Sequence, residues 1–384
     1  MKKDFQKLSI NLHRKQRGKL EVVSKVPLRD RHDLSLAYTP GVAGPALAIA
    51  RDKRLAREFT ATKNGVAIIS DGSAVLGLGN IGPEAALPIM EGKAILFKKF
   101  AGIDGFPIVL ATQDTEEIIA AVKAIAPTFG AINLEDISAP RCFEIEKRLV
   151  KELEIPIMHD DQHGTAIVVL AGLINALKVV GKKKEKVKVV INGAGAAGSG
   201  IIEILNTYGF KDIIACDRSG VISRKRKDLT PHKKHLLKIT NARNISGTLF
   251  DVLRGADVFI GVSEANLLTA TDIKTMNTKA IIFALANPVP EIMPEVARAG
   301  GAAVVASGRS DFPNQVNNVL AYPGIFKGAL DSHATEITDK MKLAAALALA
   351  GTVKRPTANK IIPDPFDKHV VTAVANAVKK IARS

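Results

Sequence analysis

The stretch VKVVINGAGAAGSGIIEILNTYGFKDIIACD, residues 187–217, decides the fold. Val187–Ile191 is a short apolar run rich in valine, the pattern of a buried strand. Gly193-Ala194-Gly195-Ala196-Ala197-Gly198 follows at once and opens a helical run, SGIIEILNTYG. A second apolar run, Ile213–Cys216, ends on Asp217, nineteen residues beyond Gly198. Glycines at these spacings permit a tight turn and close backbone approach. The helix N-terminus then faces a pyrophosphate, and an acid at the next strand end bonds the ribose hydroxyls. The bare alternative is a tight structural turn. Strand, loop, helix and acid together predict a dinucleotide site on Gly193, Gly195, Ala196, Ala197, Gly198 and Asp217. A carboxylate at 217 repels a 2′-phosphate and favours NAD. Arg218 and the run Arg224-Lys225-Arg226-Lys227 pull toward NADP, which stays open.

Working outward, the alternation of short apolar runs with longer helical stretches continues in both directions. Upstream, Val66–Ser70, Ile108–Ala111, Ala131–Leu134 and Ile155–Met158 read as strands. Downstream, Val258–Val262, Ala280–Leu285 and Ala302–Ala306 do the same. Asp114 with Glu117 reads as a helix cap with a returning carboxylate. Pro140 reads as a first-turn proline. Thr165–Val180 reads as one apolar helix buried between layers, and Glu336–Ala350 and the segment from Pro365 onward as helices. Such alternation means α/β architecture with parallel strands. We expect an N-terminal α/β catalytic domain over residues 1–160. A doubly wound Rossmann-type dinucleotide domain with C-terminal helices is expected over 161–384.

Composition narrows the class. The 384 residues are 47% hydrophobic and 24% charged, a globular balance. The longest apolar stretch, Thr165–Leu177, is too short to span a bilayer and carries Asn175, so no membrane partner is expected. The N-terminus is basic without an apolar core, unlike a secretory signal. Cys142 and Cys216 make no metal or disulfide framework, and two buried thiols suit a reducing compartment, the cytoplasm. The formal charge of +16 resides in residues 1–31 and 182–238. A nucleic-acid surface is one reading, but aromatics are 4%, Trp is absent, and none interleaves these runs. A solvated basic face that draws in anionic substrates and cofactors is the simpler reading, with no nucleic acid.

Two acidic pairs carry the chemistry. Glu135-Asp136 ends the run AINL, and Asp160-Asp161 ends IPIM after one crossover helix. If the strands are parallel neighbours, both pairs meet at one carboxyl edge. Four carboxylates there repel one another, and a hard cation, Mg²⁺ or Mn²⁺, relieves it. Solvated loop acids are the alternative. A second glycine run, Gly77-Leu78-Gly79-Asn80-Ile81-Gly82, precedes Pro83 and lacks a matching acid. It reads as a tight loop at the active-site edge.

Taken together these residues resemble the malic enzyme family over most of the chain. The resemblance rests on Tyr38-Thr39-Pro40, Asp71-Gly72-Ser73 with LGLGNIG, Glu91-Gly92-Lys93, and Asn133-Leu134-Glu135-Asp136. It continues through His159-Asp160-Asp161-Gln162-His163-Gly164, Phe283-Ala284-Leu285-Ala286-Asn287-Pro288 and Gln315-Val316-Asn317-Asn318. The length resembles the short bacterial form. The resemblance implies oxidation of malate by hydride transfer to NAD or NADP, loss of CO₂ and protonation to pyruvate. It implies Lys93 as general base, Tyr38 as general acid and Asp160 as the group that sets the lysine's protonation. It implies Glu135, Asp136 and Asp161 as metal ligands, and Asn287 and Asn318 as amides on the substrate carboxylate. It also implies a homodimer. A lysine buried beside a metal is expected to have its pKa depressed toward that of a base. Many larger members carry an arginine before the LGLG loop; here the run is Ser73-Ala74-Val75-Leu76, so carboxylate binding falls to Asn287, Asn318 or the metal. Two other functions fit the residues: a malolactic or related 2-hydroxy-acid enzyme, and a nucleotide-sensing or nucleic-acid-associated protein on a cofactor fold.

Overall fold

Two separate sheets organise the chain. The first has strand order β2-β1-β3-β4, with β1 Gly65–Ser70, β2 Asp104–Val109, β3 Ala131–Leu134 and β4 Ile157–His159. All its pairings are parallel. The second has order β10-β9-β8-β5-β6-β7. Its strands are β5 Lys188–Asn192, β6 Asp212–Asp217, β7 Gly220–Val221, β8 Val258–Gly261, β9 Ala280–Ala284 and β10 Ala302–Ser307. It is parallel except for β7, which runs antiparallel to β6. Order reverses beside β5, the crevice where open α/β sheets bind ligands. The α/β expectation is met. The structure, a computed structural model, describes residues 4–383; Met1–Lys3 of the basic N-terminal stretch and Ser384 lie outside the described residues.

Element boundaries depart from expectation for local reasons. β2 begins at Asp104, ahead of Ile108, although Gly105 and Pro107 dilute its apolar pattern. It pairs only with β1, and a strand that lacks a donor at Pro107 is tolerated at such an edge. β4 starts after Pro156 instead of at Ile155. Asp114 caps its helix, accepting from the backbone N–H of Glu116 and Glu117. The Glu117 carboxylate does not return to the cap; it accepts from Thr112 Oγ1. Pro140 occupies the cap itself, one residue outside the first turn.

The largest difference is the long helix, which begins at Asp160 and not Thr165 and runs to Val180. The second acidic pair is thus its first turn, where the helix dipole favours negative charge. This helix is long and apolar enough to cross a membrane, but 83% of its apolar window is buried inside the protein. It packs against the helices Ala196–Tyr208 and Asp339–Thr352. The core is continuous between the sheets. Met90 and Phe97 of the helix Pro83–Ala101 share a cluster with Tyr322 and Phe326 of the helix Tyr322–Asp331. Phe97 meets Tyr322 and Phe326 edge-on, at 4.7 and 5.5 Å between ring centres. Such pairs add about 0.5–1.5 kcal/mol each beyond area burial.

Candidate active site

β3 and β4 are parallel neighbours, with Leu134 opposite His159. The residues that follow, Glu135-Asp136 and Asp160-Asp161, therefore emerge at one carboxyl edge. Glu135, Asp136 and Asp161 each offer an oxygen, all within 4.8 Å of one another. Asp136 is held in the left-handed region at φ 54°, which costs a non-glycine residue roughly 1–2 kcal/mol. Its N–H donates to Asp161 Oδ2 at 2.8 Å, and Asn133 Nδ2 donates to Glu135 Oε2 at 2.9 Å.

Lys93 arrives from the third turn of Pro83–Ala101. Its Nζ lies 2.6 Å from Glu135 Oε1 and 2.5 Å from Asp160 Oδ2, and only 8% of the side chain is exposed. Nζ also sits 4.4 Å from the centre of the Tyr322 ring. Asp160 fits because residue 164 is glycine: a Cβ there would come within 1.9 Å of Asp160 Oδ1 and 3.1 Å of Asn318 Cβ. The same contacts put Asn318 beside the cluster. Asp160 Oδ1, Asn133 Oδ1 and Tyr322 Oη are buried without a hydrogen-bond partner.

The electrostatics are unbalanced. Burial pushes Glu135 well above the carboxylate range despite the pull of Lys93. Burial and then the charge of Asp161 push Asp136 up to about 7. Asp160 is raised by burial against the pull of Lys93. For Asp161 burial acts upward, but the pulls of His159 at 3.4 Å, of Lys93 and of the Asp136 N–H together outweigh it and lower the pKa. Lys93 contradicts the expectation of a depressed pKa. Burial lowers it, yet the carboxylates of Asp160 and Glu135 outweigh burial and hold it well above the ordinary lysine value. A closed set of oxygen donors, too acidic for its one lysine, fits a Mg²⁺- or Mn²⁺-sized cation.

The other predicted residues sort clearly. At the dinucleotide loop, a Cβ on Gly193 would meet Val262 O at 2.6 Å, and one on Gly198 would meet Gly193 O at 1.8 Å. Gly195 faces open space and caps the helix that starts at Ala196 and Ala197. This loop lines a cleft of about 990 Å³ together with Asp217, Lys233 and, from the far wall, Pro140 and Phe143. Asp217 is not free: Arg226 donates to it at 2.7 and 3.1 Å and Lys233 at 2.6 Å. Burial would raise its pKa, but Arg226 and Lys233 bring it below the usual value. Arg226 is 13% exposed, so the basic run is not wholly a solvated face. Asn287 backs onto the glycine loop of residues 77–82, where its carbonyl lies 2.9 Å from a Cβ built on Gly77.

Tyr38 stands apart. It is 66% exposed, and its hydroxyl bonds to none of the cluster residues. Sequence reasoning missed two neighbours. Tyr322, one of three tyrosines in the chain, follows Asn318 by four residues, and that proximity was its signal. Arg141 read only as a helix start. Its Nη2 reaches Asp71 Oδ2, Ser73 Oγ and Ser138 Oγ at 2.9–3.0 Å, which puts a guanidinium beside the loop that lacks its own arginine.

Comparison with known proteins gives a consistent answer. Residues 17–150 match the family model "Malic enzyme, N-terminal domain" and residues 162–383 match "Malic enzyme, NAD binding domain". The chain is 56% identical to the bifunctional malic/malolactic enzyme of Bacillus subtilis, over 97% of this chain and 92% of that one. It is 57% identical to the NAD-dependent malic enzyme of Geobacillus stearothermophilus, over 95% and 77%. Its structure matches the crystal structure of NAD-dependent malic enzyme from Thermotoga maritima with a TM-score of 0.94 at 52% identity, covering 97% and 98% of the two chains.

Proposed function

The chain belongs to the malic enzyme family, and from that premise we propose how its residues turn (S)-malate and NAD⁺ into pyruvate, CO₂ and NADH. It is a malate dehydrogenase of the decarboxylating kind, using NAD or NADP with a divalent cation. The observation that carries the site assignment is the meeting of Glu135, Asp136 and Asp161 within 4.8 Å beside the Lys93 ammonium. These three acids hold Mg²⁺ or Mn²⁺. When bound, the cation would supply Lewis acidity and the dinucleotide would supply the hydride acceptor. With a cation neutralising Glu135, Asp136 and Asp161, the carboxylate pull that keeps Lys93 protonated would fall, and its free amine would take the proton of the C2 hydroxyl, with Asp160 orienting Nζ and setting its protonation. Asn287 and Asn318 bond the substrate carboxylate. Gly193, Gly195, Ala196, Ala197 and Gly198 bind the pyrophosphate, and Asp217 the ribose. Functionally we divide the chain near residue 160, into a substrate part, 1–160, and a cofactor part, 161–384.

Tyr38 protonates C3 of the enolate, and it does so in a second copy of the chain. Supporting this, the segment that carries it exposes Val22 (100%), Leu28 (65%) and Leu36 (65%), apolar surface that a homodimer would cover. Cytoplasmic residence is supported by two buried free thiols. The deciding assay is the initial rate with malate, with Mn²⁺ or with a chelator, and with NAD or NADP. Pyruvate and reduced cofactor should form only with the metal. Mixing Tyr38→Phe with Lys93→Ala should restore turnover that neither variant has alone; no restoration removes the shared site. A malolactic reading is favoured by likeness to the bifunctional Bacillus subtilis enzyme. Lactate formed without net NADH would support it.

A further inference from the structure

A second cavity lies against the helix Tyr322–Asp331. It measures about 300 Å³ and is walled by Arg57, Lys63, Lys327, Lys379, Leu330 and Asp331, among others. Four elements supply the cations. Arg57 comes from the helix Ala56–Phe59 and Lys63 from the turn Ala61–Lys63. Lys327 comes from the middle of Tyr322–Asp331, and Lys379 from the last turn of His369–Ala382. Four cations face one acid. Lys327 pairs with Asp331 at 2.6 Å. Arg57, Lys63 and Lys379 have no acidic partner among the described residues. Burial alone holds the Arg57 guanidinium below its usual pKa, the mark of a partly desolvated cation without a counter-ion.

We propose that this cavity binds a small, multiply charged anion of the phosphate or dicarboxylate kind, at a site separate from the catalytic cluster and the cofactor cleft. The size is at the low end for ligand sites. The wall offers one apolar side chain, Leu330, and is otherwise polar, with Asn64 and His333 beside the four cations, so charge dominates it. Convergent Arg and Lys side chains from separate elements are the donor set that oxyanions take, Arg as a planar fork and Lys as a point charge. An anion would also bridge segments far apart in sequence: the N-terminal turn, the Tyr322 helix and the C-terminal helix. The Tyr322 helix carries both Lys327 and, five residues before it, the ring beneath Lys93.

Direct titration by calorimetry of the full chain, saturated with NAD so that the cofactor cleft is filled, tests this. The probes are inorganic phosphate in one arm and succinate in the other. One arm should show saturable binding at one site, and which arm does so identifies the ligand kind. Arg57→Ala with Lys379→Ala should weaken that binding at least about tenfold, a loss of about 1.4 kcal/mol. Arg57→Lys should keep it within a few-fold, and turnover of malate without added anion should match wild type in both variants. Equal affinity in wild type and the double variant overturns the proposal, as does no saturable binding of either probe. Loss of malate turnover in wild type would instead strike the proposed function and leave this titration unaffected.

Discussion

Glu135 and Asp217 are the same device, an acid one step past or at the end of a parallel strand, and they end in opposite electrostatic states. Asp217 is gripped by Arg226 and Lys233 and its pKa falls. Glu135, Asp136, Asp160 and Asp161 crowd around one lysine, and burial lifts three of the four. Buried charges are retained when paired or when they hold a metal. The first sheet's edge is therefore built around a cation that the chain does not itself supply. The second sheet's edge carries its own, in a form that can be redirected. A cluster that needs a partner has a chemical purpose; an acid already satisfied is a selector.

The sharpest way to break this contrast is Lys93→Ala. Loss of a general base costs on the order of 10²–10⁴ in rate, so kcat for malate should fall by about 10³ in steady-state assays with Mn²⁺ saturating. The same change strips the only lysine from a buried cluster, a loss of roughly 3–5 kcal/mol. Denaturant unfolding without metal should therefore show a much less stable variant, and added Mn²⁺ should recover part of the loss. Wild-type kcat in this variant would remove Lys93 from the chemistry.

Next in size is metal linkage. Wild type should gain about 2.7 kcal/mol of stability at Mn²⁺ a hundredfold above its dissociation constant. Asp136→Asn should lose most of that gain. Without metal it should be no less stable than wild type, since asparagine tolerates φ 54° and the substitution relieves repulsion from Asp161. Equal Mn²⁺ stabilisation in both proteins would exclude Asp136 as a ligand.

On the cofactor side the expected effect is smaller. Asp217→Ser should release Arg226 and Lys233 for a 2′-phosphate. The ratio of NADP to NAD affinity should rise about tenfold, some 1.4 kcal/mol, by fluorescence titration. An unchanged ratio would mean that the clamp on Asp217 does not select the cofactor.

How much of this was legible in the sequence follows the range of the forces involved. The dinucleotide loop and the two acidic edges were, because strand, turn and helix signals are local and each acid lies at a strand end. The start of the long helix was not: Asp160-Asp161-Gln162-His163 lacks apolar period, and only the fold makes that polar turn helical. Tyr322 under Lys93 joins residues more than two hundred positions apart, which no local pattern encodes. The direction of the Lys93 shift was misjudged for the same reason, since it depends on how many carboxylates converge around it. Tyr38 was legible as a motif, but its 66% exposure, away from the acidic cluster, was not.

The two regions also meet where His232 of the cofactor cleft stacks on Phe143 of the helix after the first acidic pair, 3.8 Å between ring centres. Its Nε2 lies 2.6 Å from Ser199 Oγ. Burial, with the nearby charges of His235 and Lys233, lowers its pKa from 6.5 to about 4. A lowered histidine is neutral in the fold over a range where the unfolded chain takes a proton. Its contribution is fully present above pH 6.5 and is lost as pH falls from there to about 4. The ring is partly exposed, which screens the effect to below about 1 kcal/mol. His232→Phe keeps the stack and removes the proton, so its unfolding free energy should fall less steeply between those pH values than that of wild type. His163, also lowered by burial, retains a slope of the same sign in both proteins. Parallel pH profiles for the two would mean that the contact between the catalytic edge and the cofactor cleft is indifferent to protonation.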